Sequence, residues 1–129
     1  MTTFERRFHA RVGAVSLDLP AVLAPRESTA IDSKSAVFEG GGLFVLVDQG
    51  PFAPSLDADT GRPGLHEVPV VVGGHPARLV TFDDNDKTSY TTALEVAGPQ
   101  RVTVFIRAHS DVPREVPLEI AHSVQLLEE

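Results

Sequence analysis

Asp83, Asp84 and Asp86, with Asn85 among them, crowd three carboxylates and an amide into four positions directly after an apolar run. Carboxylates at that density can hold a divalent cation if further oxygens converge from elsewhere. The same residue types are also the ordinary ones of tight turns, because their short side chains hydrogen-bond the adjacent backbone. Asp83, Asp84 and Asp86 are therefore weak metal candidates, with a turn as the competing reading. Asp57 and Asp59 begin a stretch, DADTG, that brushes against a calcium loop. Its glycine comes one position early, and Val68 stands where the bidentate glutamate belongs. The histidines, His9, His66, His75, His109 and His122, show no close metal-ligand spacing, and no H-E-x-x-H occurs. Only a fold could gather two or three of them.

Phosphate and nucleophile motifs are incomplete. Gly40-Gly41-Gly42 lacks the Lys-Ser/Thr of a phosphate loop and leads into a strand-like run, whereas phosphate motifs open a helix whose N-terminus holds the anion. A hairpin turn or bulge accounts for it better. No G-x-S-x-G elbow is present, and Ser110, next to His109, reads as a loop or cap residue. Arg78 and Arg107 are each flanked by apolar strand residues. On an open sheet face, with Tyr90 nearby, they could contact an anion or carboxylate. The competing reading is a solvated face whose arginine stems cover apolar surface. The binding-surface candidates are thus Arg78, Tyr90, Arg107, Asp57 and Asp59.

A chain of 129 residues, 42% hydrophobic and with a mean hydropathy of zero, has the length and composition of one globular domain spanning 1–129. The net charge of −7 repels phosphate backbones and anionic membranes, so nucleic acid is not an expected partner. A basic protein suits the acidic surface better. With no cysteine there is neither a disulfide framework nor a thiolate metal site, and no cofactor is expected. The N-terminal MTTFERRFHARVG has no apolar region after its arginines, and no apolar run approaches the roughly 20 residues of a membrane span. The expectation is a cytoplasmic protein, or a periplasmic one if a leader has been removed.

The elements that must position these residues read mainly as strands. Phe4, Phe8, Ala10 and Val12 alternate with polar residues, and Val15, Leu17 and Leu19 do so after Gly13-Ala14, which makes an N-terminal hairpin. From Pro20 to Lys34 no period is sustained, so a surface connection with at most a helical turn is predicted. Residues 36–47 read as two strands around the triple glycine, and 50–67, rich in proline and glycine, as a long exposed loop. Val68 to Val72, a Gly73-Gly74 turn, Ala77 to Phe82, a strand through Tyr90 and Val96, and the run RVTVFIRA make a β-meander. Val116, Ile120, Ala121 and Val124 change to helical spacing. Ser110 and Asp111 are the candidate caps, and the helix either begins near Pro117 or is distorted there. The expected fold class is α+β: a mainly antiparallel sheet, made of the β-meander plus the N-terminal hairpin, with a C-terminal helix packed on one face.

Leu19-Pro20, Ile31-Asp32-Ser33, Asp48-Gln49-Gly50 and Gly74-His75-Pro76-Ala77, in that order around the same strands, resemble the PsbP-like family. That family takes in extrinsic photosystem II proteins, the Ran-release factor Mog and small bacterial proteins. The likeness spans nearly the whole chain on short motifs, none of them catalytic. It implies a fold and a non-enzymatic binding or accessory role, and it implies no substrate. With no complete catalytic constellation in the residues, the expected function is a bacterial protein-binding module in an immunity-like or adaptor role. The alternative is a small-ligand or divalent-cation binder, or a hydrolase using Asp83, Asp84, Asp86 and a histidine.

Overall fold

The computed structural model describes residues 7–12, 15–26, 34–49, 65–83, 88–96 and 101–126. Among these, ten strands and one helix follow in the order β1 (Arg7–Val12), β2 (Val15–Pro20), β3 (Ala24–Arg26), β4 (Lys34–Gly40), β5 (Leu43–Gln49), β6 (His66–Val72), β7 (His75–Asp83), β8 (Ser89–Val96), β9 (Val102–His109), α1 (Glu115–His122) and β10 (Gln125–Leu126). Seven strands form one antiparallel sheet in the order β3-β4-β5-β9-β8-β7-β6, and β1-β2-β10 form a second, three-stranded sheet. The N-terminal hairpin and the meander β6 to β9 lie where alternation predicts them. No helix among the described residues is long and apolar enough to cross a membrane.

The β6–β7 hairpin shows how local chemistry sets register. Gly73 and Gly74 take φ of 57° and 83°, the pair of positive values a two-residue primed turn needs. Such a turn makes Val72↔His75 a hydrogen-bonded pair, and pair types alternate from there. Pro69, opposite Arg78, and Pro76, opposite Val71, then fall on non-hydrogen-bonded positions, where neither nitrogen owes its partner a proton. Pro69 also removes a donor from the outer edge of β6, which hinders pairing with another chain.

One face of the large sheet, the inner face, carries Val45, Val47, Leu94, Val96, Val102, Val104 and Ile106, all at most 2% exposed. Strands β1 and β2 cover it on the β4–β5 side, with Phe8 and Phe38 packed at 6.3 Å between ring centroids, and α1 covers it over β8 and β9. Val116, Ile120 and Ala121 supply the helix's buried stripe. Ser123 secures its end: the Oγ accepts the Asp18 N–H at 2.9 Å and donates to the Ile120 carbonyl at 2.6 Å.

Four expectations need correction. Residues 24–26 form β3 rather than an irregular connection; three residues are too few to show a period, and an edge strand tolerates Pro25. His66 and Glu67, expected in a loop, begin β6. The helix itself starts at Glu115, near Pro117 as the first of the two readings had it, and Pro117 lies in the first turn, where its missing N–H has no intrahelical acceptor to lose. Ser110 and Asp111 are not its caps: the N-cap is Arg114, whose side chain makes no capping hydrogen bond, and Ser110 instead donates its N–H to the Thr88 carbonyl at 2.9 Å. Val124 lies beyond the helix, and the chain after it becomes extended to pair with β2. The described residues are therefore sheet-rich, two sheets with one C-terminal helix packed between them, more than an even mixture of helix and sheet.

Candidate functional site

Because side chains alternate across a strand, the register assigns each candidate to a face. Arg78 and Arg107 both lie on the outer face of the large sheet, away from α1 and β2. They do not converge. Arg78 pairs with Glu95, which pairs with Thr103, and Thr103 is four residues from Arg107 along β9. Two strand spacings and four residues separate the two arginines by about 16 Å. Arg78 is held by carboxylates on both sides, through Nε to Glu67 and through NH1 to Glu95 at 4.0 Å. It forms a cross-strand ion-pair ladder with its charge already compensated. Arg107 is exposed, and its Nε donates to Ser89 Oγ at 3.3 Å.

Tyr90 is not with them. It shares its face with Leu94 and Val96, and that face is the inner one, so the ring is only 2% exposed. Its hydroxyl donates to the Val112 carbonyl at 2.7 Å and the Pro113 carbonyl at 3.1 Å. Arg114 lies over the ring at 4.3 Å from the centroid and pairs with Asp83 at 2.7 Å. Burial pushes the Tyr90 phenol above its usual pKa; the Arg114 charge opposes this and Glu115 adds to it. Tyr90, Arg114 and Asp83 thus hold the segment that leads into α1, a structural role.

Asp83, taken as a weak metal candidate, spends its Oδ1 on Arg114. Asp84, Asp86, Asp57 and Asp59 lie outside the described residues. Among the described residues no group of three or more His, Asp or Glu could hold a metal. His9 pairs with Asp18 at 2.9 Å, and His109 Nδ1 lies 3.2 Å from Asp111 Oδ2, so the fold leaves these two histidines in separate local pairs.

What the structure does assemble is an open cleft of about 420 Å³ on the outer face, where β4, β5, β9 and the start of β8 meet. Phe44 gives it apolar surface, and Glu39, Arg107, His109 and Ser89 line it with polar groups. Its volume lies within the range of small-molecule sites. Arg107 was legible as a candidate from its apolar flanks. Glu39, Phe44, Ser89 and His109 were not, because the hairpin that carries Glu39 and Phe44 meets Ser89, Arg107 and His109 only through the pairing of β5 with the distant β9. Elsewhere on the outer face, Val37, Leu46 and Phe105 are half-buried, whereas Val80, Phe82 and Ala93 are buried in a small second cluster.

Asp48, at the end of β5 on the same face, has a buried Oδ1 with no hydrogen-bond partner. Burial raises its carboxyl above the usual carboxylate range. No protein-family model matches this chain, and no curated protein matches it.

Proposed function

We propose that the protein is a non-catalytic binding module that takes a partner protein on the outer face of its large sheet, in an accessory or immunity-like role. One observation carries this reading: Val37, Phe44, Leu46 and Phe105 stay half-buried on that face, while the inner face is sealed by α1 and the N-terminal hairpin. Contiguous apolar surface rimmed by charge is the usual character of a protein-docking patch. The net charge of −7 favours a basic partner, drawn in by electrostatic steering. Kinship with the PsbP-like family is part of the proposal. Of its short motifs, Leu19-Pro20 falls at the end of β2, Asp48-Gln49 at the end of β5 and Gly74-His75-Pro76-Ala77 at the start of β7, whereas Ile31-Asp32-Ser33 and Gly50 lie outside the described residues.

Copurification from native lysate at roughly 50 and 150 mM salt tests the reading, since attraction to a basic partner weakens as screening shortens its range. The expected result is a specific associate that is retained more weakly at the higher salt and lost on Leu46→Glu. If nothing associates specifically at either salt, or if Leu46→Glu leaves the association unchanged, the proposal fails.

A further inference from the structure

The cleft has a charge order set by strand register. Glu39 pairs with Phe44, and Phe44 pairs with Arg107, so an acid, an aromatic ring and a base stand in one row across three strands. At the usual strand spacing the Glu39 and Arg107 backbones are about 10 Å apart, with the Phe44 side chain between them. The next row adds His109 opposite Ser89. Gly42 closes the rim. A Cβ there would come 3.3 Å from His109 Cβ, and its φ of 82° disfavours any side chain.

We propose that this cleft binds a small zwitterion with an apolar body, of the class of a dipeptide ending in an aromatic or branched residue. The carboxylate meets Arg107 on the Ser89 side, the ammonium meets Glu39, and the apolar side chain lies over Phe44. The length fits, because the charged ends of a dipeptide are separated by two residues of extended chain, about 7 Å. Both charges are needed. Glu39 and Arg107 already hold polar contacts within the protein. A zwitterion offers each of them an opposite charge in exchange, whereas a simple anion or cation compensates only one. The inference does not rest on the protein-docking reading, because the acid–ring–base row carries it, although the cleft shares Phe44 with the proposed docking face.

Titration of the full chain with Gly-Phe, followed by backbone amide chemical shifts, tests it. N-acetyl-Gly-Phe, which lacks the ammonium, and Gly-Phe amide, which lacks the carboxylate, are the comparison probes. Gly-Phe should saturate below about 10 mM, as expected for about sixteen non-hydrogen atoms in an open cleft. The largest shifts should fall at residues 39–44, 88–89 and 107–109, and each blocked probe should bind at least about fivefold more weakly through the loss of one charged contact. Arg107→Ala should weaken Gly-Phe by about tenfold or more, and Arg107→Lys by less, because lysine keeps the charge without the planar fork. Arg78→Ala, on the same face but remote from the cleft, should leave binding unchanged. The proposal is overturned if Gly-Phe shows no saturable shifts, if the blocked probes bind equally well, or if Arg107→Ala and Arg107→Lys both bind as the parent does.

Discussion

Replacing Tyr90 by phenylalanine removes one oxygen and keeps the ring, so the substitution isolates the hydroxyl's contribution to holding α1 on the sheet. The hydroxyl donates to the Val112 and Pro113 carbonyls at 2.7 and 3.1 Å, and Val112 is itself only 5% exposed. Its loss strands a buried acceptor, which costs about 1–3 kcal/mol, and the shorter of the two bonds points to about 2 kcal/mol. The Arg114 guanidinium keeps its ring to stack on, so nothing is lost there. With an unfolding entropy of about 2.1 cal/mol/K per residue, 129 residues give about 270 cal/mol/K. A loss of about 2 kcal/mol therefore lowers Tm by about 7 °C. Urea unfolding and calorimetry measure it, with the urea m-value expected to stay constant because the folded surface does not change. Arg114→Ala is the comparison. It removes a partly exposed ion pair with Asp83 and one cation–π contact, each worth under about 1 kcal/mol, so it should cost less than Tyr90→Phe. A loss below about 0.5 kcal/mol for Tyr90→Phe, well under the cost of a stranded buried acceptor, would refute the reasoning. So would a larger loss for Arg114→Ala.

Asp48 sets a pH dependence with a definite sign. Its folded pKa is raised by burial, so its contribution favours the folded state at pH below the unfolded value of about 3.9 and is lost as pH rises through the folded value. Asp48→Asn should then be more stable than the parent at pH 7, by less than about 1 kcal/mol because solvent screens a carboxyl that is only partly buried, with the gain vanishing below about pH 4 in urea titrations. Gly40→Ala and Gly74→Ala separate steric from conformational cost. A Cβ at Gly40 would lie 2.1 Å from the Val22 carbonyl oxygen, whereas one at Gly74 meets nothing within 4 Å. The first should cost about 3 kcal/mol or more and the second about 1 kcal/mol, read from the shift in urea midpoint. Ile120→Ala, at a fully buried position of α1, should cost about 3 kcal/mol by the same measurement, and a loss under about 1 kcal/mol would show that the helix is not integral to the core.

Strand positions were readable because they depend on a period of two within a few residues and on glycines that permit a turn. Val15, Leu17 and Leu19 fall on one side of β2 for that reason, and the Gly73-Gly74 turn joins β6 to β7 for the same local cause. The helix was readable from Val116, Ile120 and Ala121, although its start was not, since a proline can stand anywhere in a first turn. Alternation also showed that Tyr90 shares a face with Leu94 and Val96, but not which face would be covered. That depended on where α1 and the N-terminal hairpin settled, and their settling turned Tyr90 from a surface candidate into an inner staple. Two-residue periodicity carries no label for a strand's partner. The pairing of β5 with β9 joins Phe44 to Arg107 across about half the length of the chain, and that pairing brings Glu39, Phe44, Arg107, Ser89 and His109 around one cleft. A site made by non-local pairing leaves no spacing in the sequence, because the distances that define it run across the sheet and not along the chain.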